Sequence, residues 1–291
     1  MKQENTITLI VVIIALISAV SAGFGIFSDT GPGQFLHESI RGWDVEIYGK
    51  GIYRHMSADV AIQGIAQDYV TLFVAIPVLL IALVGYRKRS LQGHFLLAGT
   101  LGYFLVTYLF YTAMGMYNIM FLPYVALLGL SFFCFFLAVR QLGSLHVAGI
   151  FSPNAPHRFV GWFLVVNAIG IAFLWLNIVV PPLLDGSIYP AELQHYTTLI
   201  VQGFDLGLLL PISFVVGILL IRKKPDGFLY ATLYVIFLSL FMTALTAKII
   251  AMAMHGVNVI PVIFIIPTIN LITIASAVMM IRRIKGQAGY W

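Results

Sequence analysis

The chain has 291 residues, 60% of them hydrophobic and 9% charged, with a formal net charge of +5. A soluble domain carries about 25% charged residues, and no soluble core could bury so apolar a chain, so lipid has to solvate much of it. The basic residues stand in short clusters beside apolar runs, a pattern of membrane orientation and not of a phosphate-binding surface, which excludes nucleic acid as a partner.

Residues 6–27 are the first apolar run, long enough to cross a bilayer. The small residues Val20-Ser21-Ala22 would also suit a cleavage site, which would leave seven spans in the same orientation. A retained first helix is the expectation. Residues 28–66 read as a loop, polar and aromatic through Trp43, Asp44, Tyr53 and His55. Within it, Ser57 with Asp59 just after forms a capping signal for the helix that follows. Further spans are expected near 67–86, 93–115, 119–139, 158–181, 203–221, 227–254 and 258–281. The fold class is therefore an all-α integral membrane protein with eight transmembrane helices.

Three basic clusters, Arg87-Lys88-Arg89, Arg222-Lys223-Lys224 and Arg282-Arg283-Lys285, fall on one side of an eight-span chain. The positive-inside rule then makes both termini cytoplasmic and puts loop 28–66 outside, in a multi-pass protein of the cell membrane. Cys134 is the one cysteine, so no disulfide and no two-cysteine redox chemistry can form within the chain.

The halves 1–145 and 155–291 of this single membrane domain look alike. Gln67 to Arg87 and Gln202 to Arg222 both span 20 residues, each with one proline between, Pro77 and Pro211. Each half then has four spans, which makes two parallel four-helix repeats. Against this, Asp68 and Asp205 stand two positions out of register, and apolar helices with polar ends produce such matches by chance.

Counting along straight helices at about 1.5 Å per residue puts Asp68, Asp205 and Lys248 roughly 26–30 Å from the basic side, three ionisable groups at one depth. One reading is a polar ligand or ion site between helices, with Lys248 as counter-charge and Gln67 and Gln202 beside the acids. The other is that each aspartate marks a helix start and Lys248 reaches to headgroups. Tyr108 and Tyr111 are expected to line a cavity near Asn118, whereas Tyr103 and Tyr117 suit packing and the interfacial belt. His55 and His195 are the pair best spaced to assemble a metal or haem site across loops, although loop histidines are most often polar surface. No cofactor is expected from any motif.

The chain has no phosphate-binding Walker loop, no His-Glu-x-x-His and no Gly-x-Ser-x-Gly, which disfavours ATP hydrolysis and common hydrolase chemistry. The last span has no lysine to carry retinal. Three readings remain: a permease for a small solute or ion, a membrane-embedded enzyme or redox subunit with an outer site, and a non-catalytic sensor or assembly subunit. The partners expected are the bilayer, a small-molecule or ion ligand, and a second copy or another subunit.

Overall fold

Backbone amides in lipid must find their partners within the segment, so each long apolar run has to be helical. The computed structural model describes residues 2–145 and 147–285 and shows eight helices long and apolar enough to cross a membrane. They are α1 (Gln3–Phe27), α2 (Ala58–Arg87), α3 (Leu91–Ala113), α4 (Phe121–Gly143), α5 (His157–Asp185), α6 (Ile200–Ile221), α7 (Pro225–Met254) and α8 (Val262–Arg282). The chain is a multi-pass membrane protein. Large apolar side chains such as Phe133, Phe173 and Leu183 remain exposed along these helices, as lipid contact requires.

Two differences from the sequence reading follow from local physics. Helix α2 begins at Ala58, so the loop ends at 57 and not at 66. Ser57 occupies the capping position but makes no side-chain cap bond; its hydroxyl instead lies 3.2 Å from the Tyr196 hydroxyl. The 28–57 segment also holds a short antiparallel hairpin, β1 (Phe35–Glu38) with β2 (Asp44–Ile47), Phe35 opposite Ile47. β1 carries no alternation, and the alternation of β2 lasts only four residues, the lower limit for reading a strand.

Helices α2 and α6 are built alike. Each contains one π turn, Thr71–Ala75 in α2 and Asp205–Leu209 in α6, just before Pro77 and Pro211. A proline lacks the N–H for its helical bond and crowds the carbonyl four residues back, and the extra residue of a π turn accommodates both. Two residues past each helix end stands a left-handed basic residue, Arg89 with φ 57° and Lys223 with φ 55°. Thr71, Pro77 and Arg89 therefore match Asp205, Pro211 and Lys223. This register differs by one residue from the glutamine-to-arginine spacing and sets Asp68 against Gln202, not against Asp205.

At these basic ends the chain reverses tightly. The Ser90 hydroxyl accepts from the Gly93 amide and starts α3. A Cβ on Gly93 would meet the Gly85 backbone at 2.5 Å, and one on Gly227 would collide with the backbone of Leu219 and Leu220. Glycine is required at both reversals because backbone packs on backbone.

Helices α3 and α7 form the centre. They pack on each other, α3 also against α2 and α4, and α7 also against α2, α6 and α8. Helix α1 lies against α2 and α4, while α5 packs on α6. Gly161 and Gly217 let α5 and α6 approach closely, the role small residues play between membrane helices.

The two longest non-spanning segments meet over the ends of the helices opposite the basic clusters. Arg41 donates to the Gln194 carbonyl at 3.1 Å, Gln194 donates to Asp59 at 3.1 Å, and the Ser57 amide donates to the Tyr196 hydroxyl at 3.2 Å. The segment before α2 and the segment before α6 thus form a common cap.

Candidate functional site between the halves

Beneath this cap, α2 presents Gln63 and Gln67 one turn apart, and Gly64 and Asp68 one turn apart, toward the middle of the bundle. Asp68 is buried at 2% exposure. A bare carboxylate there would be expensive, and two phenols relieve it. The Tyr53 hydroxyl donates to Oδ2 at 2.5 Å, and the Tyr111 hydroxyl of α3 donates to Oδ1 at 2.9 Å.

Two glycines make room for this contact. A side chain on Gly25 of α1 would run into the Asp68 carboxylate, and a Cβ on Gly64 would sit 2.9 Å from the Tyr53 ring. Burial and the neighbouring Asp68 carboxylate push the Tyr53 phenol well above its usual range, so it stays protonated and remains a donor. Gln67 extends the network by donating to the Tyr103 hydroxyl at 2.6 Å, which also lies 2.9 Å from the Thr71 hydroxyl at the start of the π turn.

The second half contributes the opposite wall. Asp205 opens the π turn of α6, and Trp175 of α5 donates its indole N–H to Asp205 Oδ2 at 2.7 Å. On α7, Phe241, Leu245 and Lys248 share one face at helical spacing and line the same space. Lys248 stands within electrostatic reach of both Asp205 and Asp68, with no direct ion pair to either among the described residues.

These groups surround a cavity of about 190 Å³. Its walls come from both halves: Gln63 and Gln67 of α2, Tyr111 of α3, Tyr124 of α4, Trp175 of α5, Asp205 of α6 and Lys248 of α7. The walls are mainly aromatic and aliphatic, with a carboxylate and an ammonium group set into them. Tyr124 is buried, and its hydroxyl has no hydrogen-bond partner among the described residues.

The three ionisable residues singled out by depth, Asp68, Asp205 and Lys248, are therefore brought together, along with Gln67, Tyr111 and Asn118. Asn118 lines the cavity and accepts from the Met120 amide at 2.8 Å, closing the turn before α4. Gln202 is half-buried on the first turn of α6 and does not line the cavity. Tyr108 is a correction: it is 1% exposed and packs behind the cavity wall, its ring against Tyr111 and Tyr124. Tyr103, read as packing, instead belongs to the polar network.

His55 and His195 do meet, but through the backbone: the His195 ring Nε2 lies 3.0 Å from the His55 carbonyl oxygen, and Arg54 donates to the His55 ring. Among the described residues no group of three His, Cys, Asp or Glu side chains is placed to hold a metal ion. Burial pulls the His195 imidazole below its usual range, with nearby His37 adding to the effect and the His55 carbonyl opposing it.

The sequence reading missed Trp175 and Tyr124 as site residues, and had Tyr53 only as part of a loop. Nothing local marks Trp175, one aromatic in a run of apolar residues; its role follows from α5 packing on α6. No protein-family model, curated protein or solved structure matches the chain.

Proposed function

We propose that the protein is a permease for small solutes, and that the cavity between its halves is the transport site. The observation that carries this reading is the placement of Asp205 and Lys248. Two opposite charges from different helices line one cavity inside the membrane-spanning bundle, beside a helix interrupted at Asp205 itself. Ionisable groups inside a membrane bundle mark substrate and ion pathways, and interrupted helices in carriers surround the binding site.

The paired architecture of α2 and α6 supports two parallel four-helix repeats, with the cavity at their junction. The Asx turns before α4 and α8 add to this: Asn118 accepts from the Met120 amide and Asn258 from the Ile260 amide. The basic clusters favour cytoplasmic termini and an outer cap under the positive-inside rule. The cavity then lies at the level of the outer leaflet, in the cytoplasmic membrane of the cell. In this scheme Asp68 is a fixed acceptor held by two phenols, while Asp205 and Lys248 meet the solute.

The test is solute uptake into proteoliposomes holding the purified full chain, with radiolabelled amino acids, choline and acetate as probes. Uptake of one class above protein-free vesicles, reduced by Asp205→Asn and by Lys248→Met, is the expected result. No uptake of any probe, or uptake indifferent to both substitutions, would overturn the proposal.

A further inference from the structure

The cavity has more to say about the chemistry of what it holds. Three charged side chains are near it, and they are not equivalent. Both oxygens of Asp68 already accept from phenols, Tyr53 on one and Tyr111 on the other. Asp205 has one oxygen held by Trp175 and keeps a second for another donor. Lys248 lines the same cavity as Asp205, without a direct ion pair among the described residues. A ligand therefore meets one carboxylate and one ammonium group, on walls contributed by α6 and α7.

Opposite charges kept apart in a low-dielectric site are costly unless each is matched. A simple cation seated on Asp205 would stand against Lys248, and a simple anion on Lys248 would stand against Asp205. A molecule that carries an ammonium and a carboxylate satisfies both. The Tyr124 hydroxyl, without a hydrogen-bond partner among the described residues, is a further donor for a carboxylate, buried in the same wall.

Size and lining narrow the class. Roughly 150 Å³ is enough to hold a benzene ring, so a cavity of about 190 Å³ suits a compact molecule better than a nucleotide or a lipid. Phe110, Phe241 and Leu245 offer apolar surface and few hydrogen bonds, which disfavours sugars. We infer that the cavity binds a small apolar zwitterion of the α-amino-acid type, its ammonium on Asp205, its carboxylate on Lys248 and its side chain among the aromatic walls. The inference rests on the reading of this cavity as the transport site.

The experiment is titration calorimetry on the purified full chain in detergent with four probes: L-phenylalanine, L-leucine, phenethylamine, which lacks the carboxylate, and 3-phenylpropionate, which lacks the ammonium. L-phenylalanine or L-leucine should bind at least about tenfold more tightly than either singly charged analogue. Asp205→Asn should weaken L-phenylalanine and phenethylamine but spare 3-phenylpropionate. Lys248→Met should weaken L-phenylalanine and 3-phenylpropionate but spare phenethylamine. That crossed pattern separates charge recognition from a general loss of folding, and a single variant that folds is enough to read half of it. Absence of binding by both amino acids, or tighter binding of a singly charged analogue, would overturn the inference. Binding without uptake into proteoliposomes would sustain it while overturning transport, and uptake of choline or acetate with no amino-acid binding would do the reverse.

Discussion

Tyr53 donates its phenolic hydrogen to Asp68, and the two belong to different environments: the donor precedes α2 in the cap segment, and the acceptor is buried inside that helix. The bond ties the cap to the cavity wall. Replacing Tyr53 by Phe leaves the carboxylate with Tyr111 alone, and a buried group that loses a partner costs about 1–3 kcal/mol. A lower melting temperature of the detergent-solubilised protein is expected. In the double variant Tyr53→Phe with Asp68→Asn the two losses should sum to less than their separate values, because they remove the same bond. Additive losses would mean that the bond contributes nothing.

The space for that bond is supplied by two glycines. Gly64→Ala pushes on the Tyr53 ring and Gly25→Ala pushes on the Asp68 carboxylate. Each should cost roughly 1–3 kcal/mol, the range for overpacking a close contact. Gly23→Ala, where a Cβ would meet nothing, is the control on the same helix and should not lower the melting temperature.

Tyr124→Phe should have opposite effects on stability and binding. It removes a buried hydroxyl that has no partner among the described residues, so the ligand-free protein should become more stable, by about 1 kcal/mol. Affinity for L-phenylalanine should fall in the same variant. Thermal melts with and without ligand give both quantities from one sample.

Acid should loosen the cap. His195 is pulled below the usual histidine range in the folded protein by its burial, with His37 adding to the effect and Asp59 and the His55 carbonyl opposing it. A histidine held neutral on folding contributes stability above its unfolded pKa, about 6.5, and that contribution is lost as pH falls toward the folded value. Hydrogen exchange in the segments before α2 and α6 should therefore speed up on acidification below about pH 6.5, once the intrinsic pH dependence is divided out. His195→Gln should abolish the pH-dependent part.

Orientation can be read by thiol labelling, because Cys134 is buried and should be silent. In intact cells a membrane-impermeant maleimide should label Glu192→Cys on the cap and should not label Lys88→Cys at the basic end. The reverse pattern would invert the topology.

The helices were readable because each must satisfy its own backbone and face lipid, so hydropathy alone marks them. Asp68, Asp205 and Lys248 could be placed together because depth along a straight helix is a one-dimensional count. What a count cannot supply is rotation about the helix axis. That is why Tyr108 was assigned to the cavity when it packs behind it, and why Tyr103 was assigned to packing when it bonds Gln67. The π turns add one residue to α2 and α6, which rotates everything beyond them relative to a straight-helix count. Trp175 and Tyr53 reach their acceptors across tertiary contacts, and no spacing in the chain encodes those.

The glycine reversals at the basic end have a mechanical consequence. There α2 and α3 touch backbone to backbone through Gly85 and Gly93, and α6 and α7 do so at Gly227, so each pair is pinned at its basic end, while Tyr111–Asp68 and Gln67–Tyr103 hydrogen bonds tie α3 to α2 farther along. From Gly85 to Asp68 the helix runs roughly 25 Å, and a tilt of about 5° about the pinned end would carry Asp68 sideways by about 2 Å while the reversal barely moves. A tilt of that size would break the Tyr111–Asp68 and Gln67–Tyr103 bonds, so the polar network sets how far α2 can swing about its basic end.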